Sequence, residues 1–134
     1  MSERQRPLEL IHARNLVTGL STPAFLVDAD GELAFYNDAA AAIIGRRFEE
    51  VGPSGPNEWT QAWEAWDMEG EPLSAEEFPL SRALAQGRPA LASIRVRHVH
   101  GDAYDIRVSA IPIVTSEGTH GALALFWPVD READ

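Results

Sequence analysis

The chain contains no cysteine and no lysine, and all eleven of its basic residues are arginines. Without cysteine there can be no disulfide, thiolate nucleophile, iron–sulfur cluster, cysteine zinc site or cysteine-linked chromophore. Without lysine there is no Schiff-base lysine, phosphate-loop lysine or lysine general base. The sequence also lacks an apolar run near the ~18 residues of a membrane span, and it lacks the apolar core of a signal peptide. We therefore expect a cytoplasmic protein.

Length and charge narrow the class of protein further. The 134 residues suit one domain, and a content of 45% hydrophobic and 24% charged residues is typical of a soluble globular chain. The net charge of -10 argues against a nucleic-acid backbone or an anionic membrane as partner. We expect neither nucleic-acid binding nor membrane binding.

The first third of the chain predicts a helix followed by a hairpin. Apolar residues at helical spacing predict a helix over Leu8–Leu20, which ends before Pro23. Ala24–Asp28 and Glu32–Tyr36 are strand-like runs, and the Asp30-Gly31 pair between them is a strong hairpin signal.

The middle third predicts a run of helices. Asn37 is placed to cap a helix over Asp38–Ile44. Ser74 begins another helix that runs to Gln86, and Pro79 could separate its first turn from the rest. A further helix, capped by Asn57, is predicted because three tryptophans share a helical face at i, i+4 and i+7: Trp59, Trp63 and Trp66.

The last third predicts three strands: Leu91–His100, Tyr104–Val114 and Gly121–Val129. Short turns between them make the strands antiparallel neighbours. The chain is therefore predicted to be α+β, with a five-stranded antiparallel sheet, a helical insertion between the second and third strands, and an N-terminal flanking helix.

Four groups of residues, taken in order, resemble a PAS domain. They are Asp30-Gly31 with Phe35-Tyr36-Asn37, Ala39, Ile43, Ile44 and Gly45; Glu49–Gly52; Asp67, Gly70, Pro72, Leu73, Pro79, Leu80, Ala83, Leu84, Gly87 and Pro89; and Gly101, Val108–Ile113, Gly118 and Gly121. The third group is similar to a bacterial subgroup, the PAS fold-4 type. The resemblance divides the chain into a flanking helix at 1–22, a PAS domain at 23–130 and a tail at 131–134.

The resemblance implies a sensory or interaction module, with a ligand site between the helices and the inner face of the sheet. It also implies dimerisation through the N-terminal helix and the outer face. The missing cysteine excludes the cysteinyl-flavin adduct that some PAS domains form. Haem is not expected, because no histidine lies in the helix predicted over Ser74–Gln86. The cofactor, if there is one, stays open.

Strand alternation predicts the residues of the pocket. On the fourth predicted strand, Ile106 and Val108 alternate with Arg107, so the apolar pair should face the core. The tryptophans could either line the pocket or simply pack on the sheet. The predicted pocket residues are Phe25, Val27, Phe35, Trp59, Trp63, Phe78, Leu84, Val96, Ile106, Val108, Ala124 and Phe126.

The fifth predicted strand is apolar on both faces, and its sequence leaves open which face meets the core. A strand buried on both faces needs cover on each, so we expect a homodimer. The predicted interface residues are Leu10, Ala13, Val17, Leu123, Leu125 and Trp127.

Two polar clusters complete the set of candidate residues. Arg95, Asp105 and Arg107 predict a cross-strand charge set on the outer face, although recognition of an acidic ligand is an alternative. No metal site is predicted, because no carboxylate is placed beside the histidines of the strand ends: His98, His100 and His120.

Three functions fit these observations. The first is a non-enzymatic sensory module that binds a small organic ligand, a signalling protein partner or both, and passes its signal in trans because no effector domain is expected. The second is a pure dimerisation or protein-interaction module with a filled core. The least favoured is a small isomerase-like enzyme, because the sequence places no nucleophile–base pair and hence no predicted catalytic residue.

Overall fold

The computed structural model describes residues 8–61, 63–98 and 103–129. The elements are α1 (Leu8–Thr18), β1 (Ala24–Asp28), β2 (Leu33–Tyr36), α2 (Asp38–Ile44), α3 (Phe48–Val51), α4 (Pro56–Gln61), β3 (Trp63–Trp66), a 3-10 turn (Ala75–Glu77), α5 (Pro79–Gln86), β4 (Ala90–His98), β5 (Tyr104–Thr115) and β6 (Gly118–Pro128). The strands form one antiparallel sheet in the order β2-β1-β6-β5-β4-β3. We call the face covered by α5 the inner face, and the face covered by α1 the outer face.

The predicted α+β class, with an N-terminal helix before one antiparallel sheet, is confirmed. Six strands are present where five were expected, because Trp63–Trp66 forms β3 and pairs with β4 at the edge of the sheet. The predicted helical face of three tryptophans is therefore wrong, and only Trp59 lies on a helix. Aromatic residues have high strand propensity, and the edge of β4 offers unpaired backbone groups. The cross-strand ion pair between Glu64 and Arg97 supports this pairing.

Local signals predicted most of the other elements, but α4 begins at Pro56, so the prediction that Asn57 caps this helix is wrong. The Asn37 side chain accepts a hydrogen bond from the Ala40 N–H at the start of α2, as expected of a cap. The Glu77 carboxylate accepts a hydrogen bond from the Ser74 backbone N–H at 2.8 Å on the 3-10 turn, and α5 then begins afresh at Pro79. The predicted turn at 100–102 lies outside the described residues, as does the predicted tail at 131–134.

Helix α1 packs on the outer face, over β1, β2 and β6. Leu10 and Val17 are fully buried there, and the Arg14 guanidinium lies 4.3 Å above the Phe35 ring. Leu10 and Val17 were predicted to face a second subunit. This prediction is wrong, because both side chains pack α1 against the rest of the same chain. Ala13 is half-buried against the same core. None of the helices in the described part of the chain has the length and hydrophobicity of a membrane span.

Candidate functional site

A small cavity of about 60 Å³ lies between the inner face of the sheet and helices α4 and α5. Its surface is almost entirely apolar. The lining residues are Phe25, Trp59, Phe78, Pro79, Leu80, Ile94, Val96, Ile106, Val108, Ala124 and Phe126. None of these side chains can act as a general acid, base or nucleophile. The lining favours an apolar ligand, and its described residues supply no reactive group.

The strand register explains why these residues share one space. Ile94 is paired with Ile106 and Val108 with Phe126, so alternate residues of three neighbouring strands point to one face. All four are less than one-tenth exposed. Ala124 lies beside them on β6, and its small side chain leaves part of the space free.

Trp59 closes the helical side of the cavity. Its indole packs edge-on against Phe78, with ring centroids 5.8 Å apart. The indole Nε1–H donates to the backbone carbonyl of Gly31 at 2.9 Å, in the turn between β1 and β2. Because this hydrogen bond satisfies the polar atom of the ring, Trp59 can be buried without presenting a donor to the cavity.

A second, larger space of about 390 Å³ lies on the other side of Trp59. This outer groove opens at the surface between the β1–β2 turn, α4, the 3-10 turn and α5. Its lining residues are Val27, Ala29, Asp30, Gly31, Pro56, Trp59, Ala75, Glu76, Leu80, Ser81, Leu84 and Ala85. Trp59 and Leu80 are shared with the inner cavity.

Solved structures similar to this chain include PAS and LOV domains. The PAS domain of BvgS from Bordetella pertussis has a TM-score of 0.64 at 18% identity, over 93% of this chain and 88% of that one. The chain has the PAS fold. The LOV protein of Rhodobacter sphaeroides has a TM-score of 0.70 at 14% identity, over 96% and 71% of the two chains. The PAS domain of nitrogen regulation protein NR(II) from Vibrio parahaemolyticus has 0.62 at 13%, over 87% and 97%.

Neither a family model nor a curated protein matches the sequence. The PAS fold is thus evident from the course of the backbone, which the resemblance of the motifs had predicted. At these identities a likeness extends to the fold alone, so function has to be argued from the site.

Eight of the twelve predicted pocket residues line the inner cavity of this PAS fold: Phe25, Trp59, Phe78, Val96, Ile106, Val108, Ala124 and Phe126. Val27 and Leu84 line the outer groove instead. Trp63 is in β3, and its side chain lies outside the described part of the structure.

Phe35 is a correction to the predicted pocket, because it lies beneath Arg14 of α1. A bulge between β1 and β2 causes this: Val27 is paired with Leu33, but Leu26 is paired with Phe35. The extra residue moves Phe35 to the face of Leu26 and α1.

Three lining residues were missed: Pro79, Leu80 and Ile94. Ile94 could have been found, because it alternates with Arg95 in the same way as the predicted Val96. Pro79 and Leu80 enter the lining because α5 begins at Pro79. When a helix begins directly after another short helical turn, sequence spacing alone does not identify its first residue.

The resemblance to PAS domains raised two candidate cofactors, which are a flavin held as a cysteinyl adduct and haem. The residues present do not fit either group. The chain has no cysteine, and no histidine lines the cavity among the described residues. A space of about 60 Å³ is also far too small for a flavin or a porphyrin ring system.

The predicted charge set on the outer face is present in part. The Arg95 Nε–H donates to Asp105 Oδ1 at 2.8 Å, and Asp105 is only 3% exposed. This hydrogen bond raises the pKa of Arg95 above its ordinary value. Arg107 makes a longer contact with Ser93, at 3.5 Å. Arg95 is already bonded to the buried Asp105 carboxylate. We therefore interpret the pair as a structural ion pair of the sheet.

No metal site was predicted at the histidines of the strand ends, and the side chain of His98 lies outside the described part of the structure. His120 contacts Thr115 across the β5–β6 hairpin, while His100 lies outside the described part. The residues that the structure describes contain no group of three side chains able to hold a metal ion.

The outer face carries an apolar surface that α1 leaves uncovered. Leu91 is 60% exposed, Ile111 40% and Trp127 39%. Leu123 and Leu125 on β6 are half-buried beside them. Register places Leu125 opposite Ser109, and Ser109 opposite Leu91, so the surface crosses three strands. We call these five apolar residues the outer patch.

Proposed function

We propose that the chain is a non-enzymatic PAS sensory module that binds a small apolar ligand in the inner cavity. The wholly apolar lining of this cavity carries the proposal, because it combines side chains of four strands and two helices around one space. A ligand there would contact all of these elements at once. Occupancy could therefore change their packing, which is what a sensory domain requires.

The size of the cavity limits the ligand. A volume of about 60 Å³ equals about two water molecules, at about 30 Å³ each. Apolar cavities of about 150 Å³ stay dry and accept benzene or xenon. The unaltered cavity therefore suits an atom or a molecule smaller than benzene.

Xenon binding tests the proposal directly. Xenon should bind wild-type protein with a distinct 129Xe NMR shift, and Ala124→Leu should weaken that binding by at least about tenfold because leucine fills the space. Ala103→Leu is the matched control, since Ala103 is exposed. Val108→Ala should enlarge the cavity and strengthen binding of benzene. If xenon shows no saturable shift with the wild type, the core is filled and the ligand proposal is wrong.

The outer patch favours a second role, self-association. Exposed apolar side chains on one continuous sheet face are typical of an interface. We propose that two copies pair through this patch, and that a change in the cavity reaches a partner chain through the same sheet. A signalling partner in trans would use this route.

Replacing Trp127 with aspartate should disrupt the dimer. A charge within the apolar patch should weaken association by at least about 30-fold, which gives a monomer mass by light scattering at micromolar concentration. Met68→Asp is the control, because Met68 is 51% exposed and lies outside the patch. Xenon binding should survive in both variants. If the wild-type protein is already monomeric by light scattering, the self-association proposal is wrong. That result would leave the ligand proposal unchanged.

A further inference from the structure

The inner cavity and the outer groove are separated by two side chains. Trp59 and Leu80 line both spaces, and both are buried, with exposed fractions of 8% and 4%. The partition is thus one side chain thick. Movement of Trp59, with Leu80 adjusting beside it, would join the two spaces.

The indole of Trp59 is attached on the groove side. Its Nε1–H bonds to the Gly31 carbonyl, and Gly31 lines the outer groove. On the cavity side the same ring has an edge contact with Phe78. This hydrogen bond and this aromatic contact help to hold the partition closed, and a ligand that replaces both contacts could keep it open.

The two spaces differ in chemistry. The inner cavity is apolar throughout, whereas the outer groove carries the carboxylates of Asp30 and Glu76 and the hydroxyl of Ser81. No cationic side chain lies among the described residues of the groove lining. A ligand that spans both spaces would need an apolar tail, and the carboxylates would attract a positive head group and repel a negative one.

We propose that the two spaces form one ligand site, with Trp59 as its movable partition, and that the site accepts a cationic amphiphile of the alkylammonium type. The end of the alkyl chain would enter the inner cavity, and the rest of the chain would pass the displaced Trp59 into the larger outer groove. The ammonium group would lie in that groove near the exposed carboxylates of Asp30 and Glu76. This inference rests on the proposed ligand-binding function and names the class of ligand for it. It also explains how a cavity too small for an organic ring could serve a larger molecule.

The test uses n-octylammonium, n-octanoate and 1-octanol at submicellar concentration, together with xenon. Octylammonium should bind, should displace xenon, and should move the indole N–H resonance of Trp59, which Trp59→Phe identifies. Octanoate should bind about 2- to 10-fold more weakly, because both groove carboxylates are exposed. The Asp30→Asn/Glu76→Gln double variant should lose about 2- to 10-fold in affinity for octylammonium and none for octanol.

The Trp59→Phe variant tests the partition. It keeps an aromatic ring but removes the hydrogen bond to Gly31, so octylammonium should bind about 2- to 10-fold more tightly. Trp66→Phe is the matched control, because Trp66 lines neither space.

The outcomes separate this inference from the proposed function. If xenon binds but octylammonium neither displaces it nor moves the Trp59 resonance, the two-part site is wrong and the small-ligand proposal stands. If octanoate binds as well as octylammonium, the cationic class is wrong. If neither xenon nor octylammonium binds, both proposals fall.

Discussion

Replacing Asn37 with alanine should lower the free energy of unfolding by about 3–5 kcal/mol. Asn37 is 1% exposed, and its side chain uses its full hydrogen-bonding capacity. Nδ2 donates to the carbonyl oxygens of Val17 at 3.0 Å and Thr22 at 2.9 Å. Oδ1 accepts from the backbone N–H groups of Ala24 at 3.1 Å and Ala40 at 3.0 Å. Alanine would leave all four backbone groups without this partner.

The size of the effect follows from burial. An unsatisfied buried polar group costs about 1–3 kcal/mol, and partial access of water reduces the sum below four times that value. The bonds also join separate elements: the last turn of α1, the segment after it, β1 and the start of α2. We therefore expect the attachment of α1 to weaken first.

Urea unfolding followed by circular dichroism measures this change. The midpoint should fall for Asn37→Ala with little change in slope. Asn15→Ala is the matched control, because Asn15 is exposed on α1 and alanine favours a helix; its midpoint should stay or rise slightly. A loss below about 1 kcal/mol for Asn37→Ala would show that the four bonds contribute little net stability.

Asn37 also shows how far the sequence can predict this fold. Its role as the cap of α2 was predictable, since that bond joins residues three positions apart. The bonds to Val17 and Thr22 join residues 20 and 15 positions apart, and they exist only once α1 has docked. Most caps and turns are local, so they could be predicted from local sequence, although Asn57 lies one residue inside the helix it was expected to cap.

Errors arose where tertiary contacts override local preference. Trp63 and Trp66 have a spacing that suits a helix, yet the free edge of β4 recruits them into a strand. Phe35 changed face because of one extra residue in β2. The inner cavity was largely predicted because it depends on alternation along strands, whereas the outer groove was not, because helices and turns from distant segments form it.

Replacing Gly121 with alanine should lower the free energy of unfolding by about 3 kcal/mol or more. A Cβ atom there would clash with the carbonyl oxygen of Val27, and it would lie 2.9 Å from Leu10 Cδ2 and 3.3 Å from Asp28 Cα. Gly121 is paired with Asp28 in the β1–β6 ladder. The strands would have to separate, because a backbone carbonyl cannot rotate away as a side chain can.

Gly19→Ala is the matched control. The nearest atom to a Cβ at Gly19 is the Leu16 carbonyl oxygen at 3.9 Å, which is ordinary contact. Its backbone is not among those with positive φ, so alanine should change stability by less than about 1 kcal/mol. Thermal and urea unfolding of both variants would measure the difference.

A double variant separates the two contacts at Gly121. Leu10→Ala removes the side-chain clash but leaves the clash with the Val27 carbonyl, and by itself it should cost about 2–5 kcal/mol as a large-to-small core change. If the backbone contact dominates, Gly121→Ala should remain strongly destabilising in the Leu10→Ala background. If the double variant is instead as stable as Leu10→Ala alone, the crowding comes from the docked α1 helix. Glycine at this position would then be needed for α1 to pack on the sheet, and pairing of β6 with β1 would not require it.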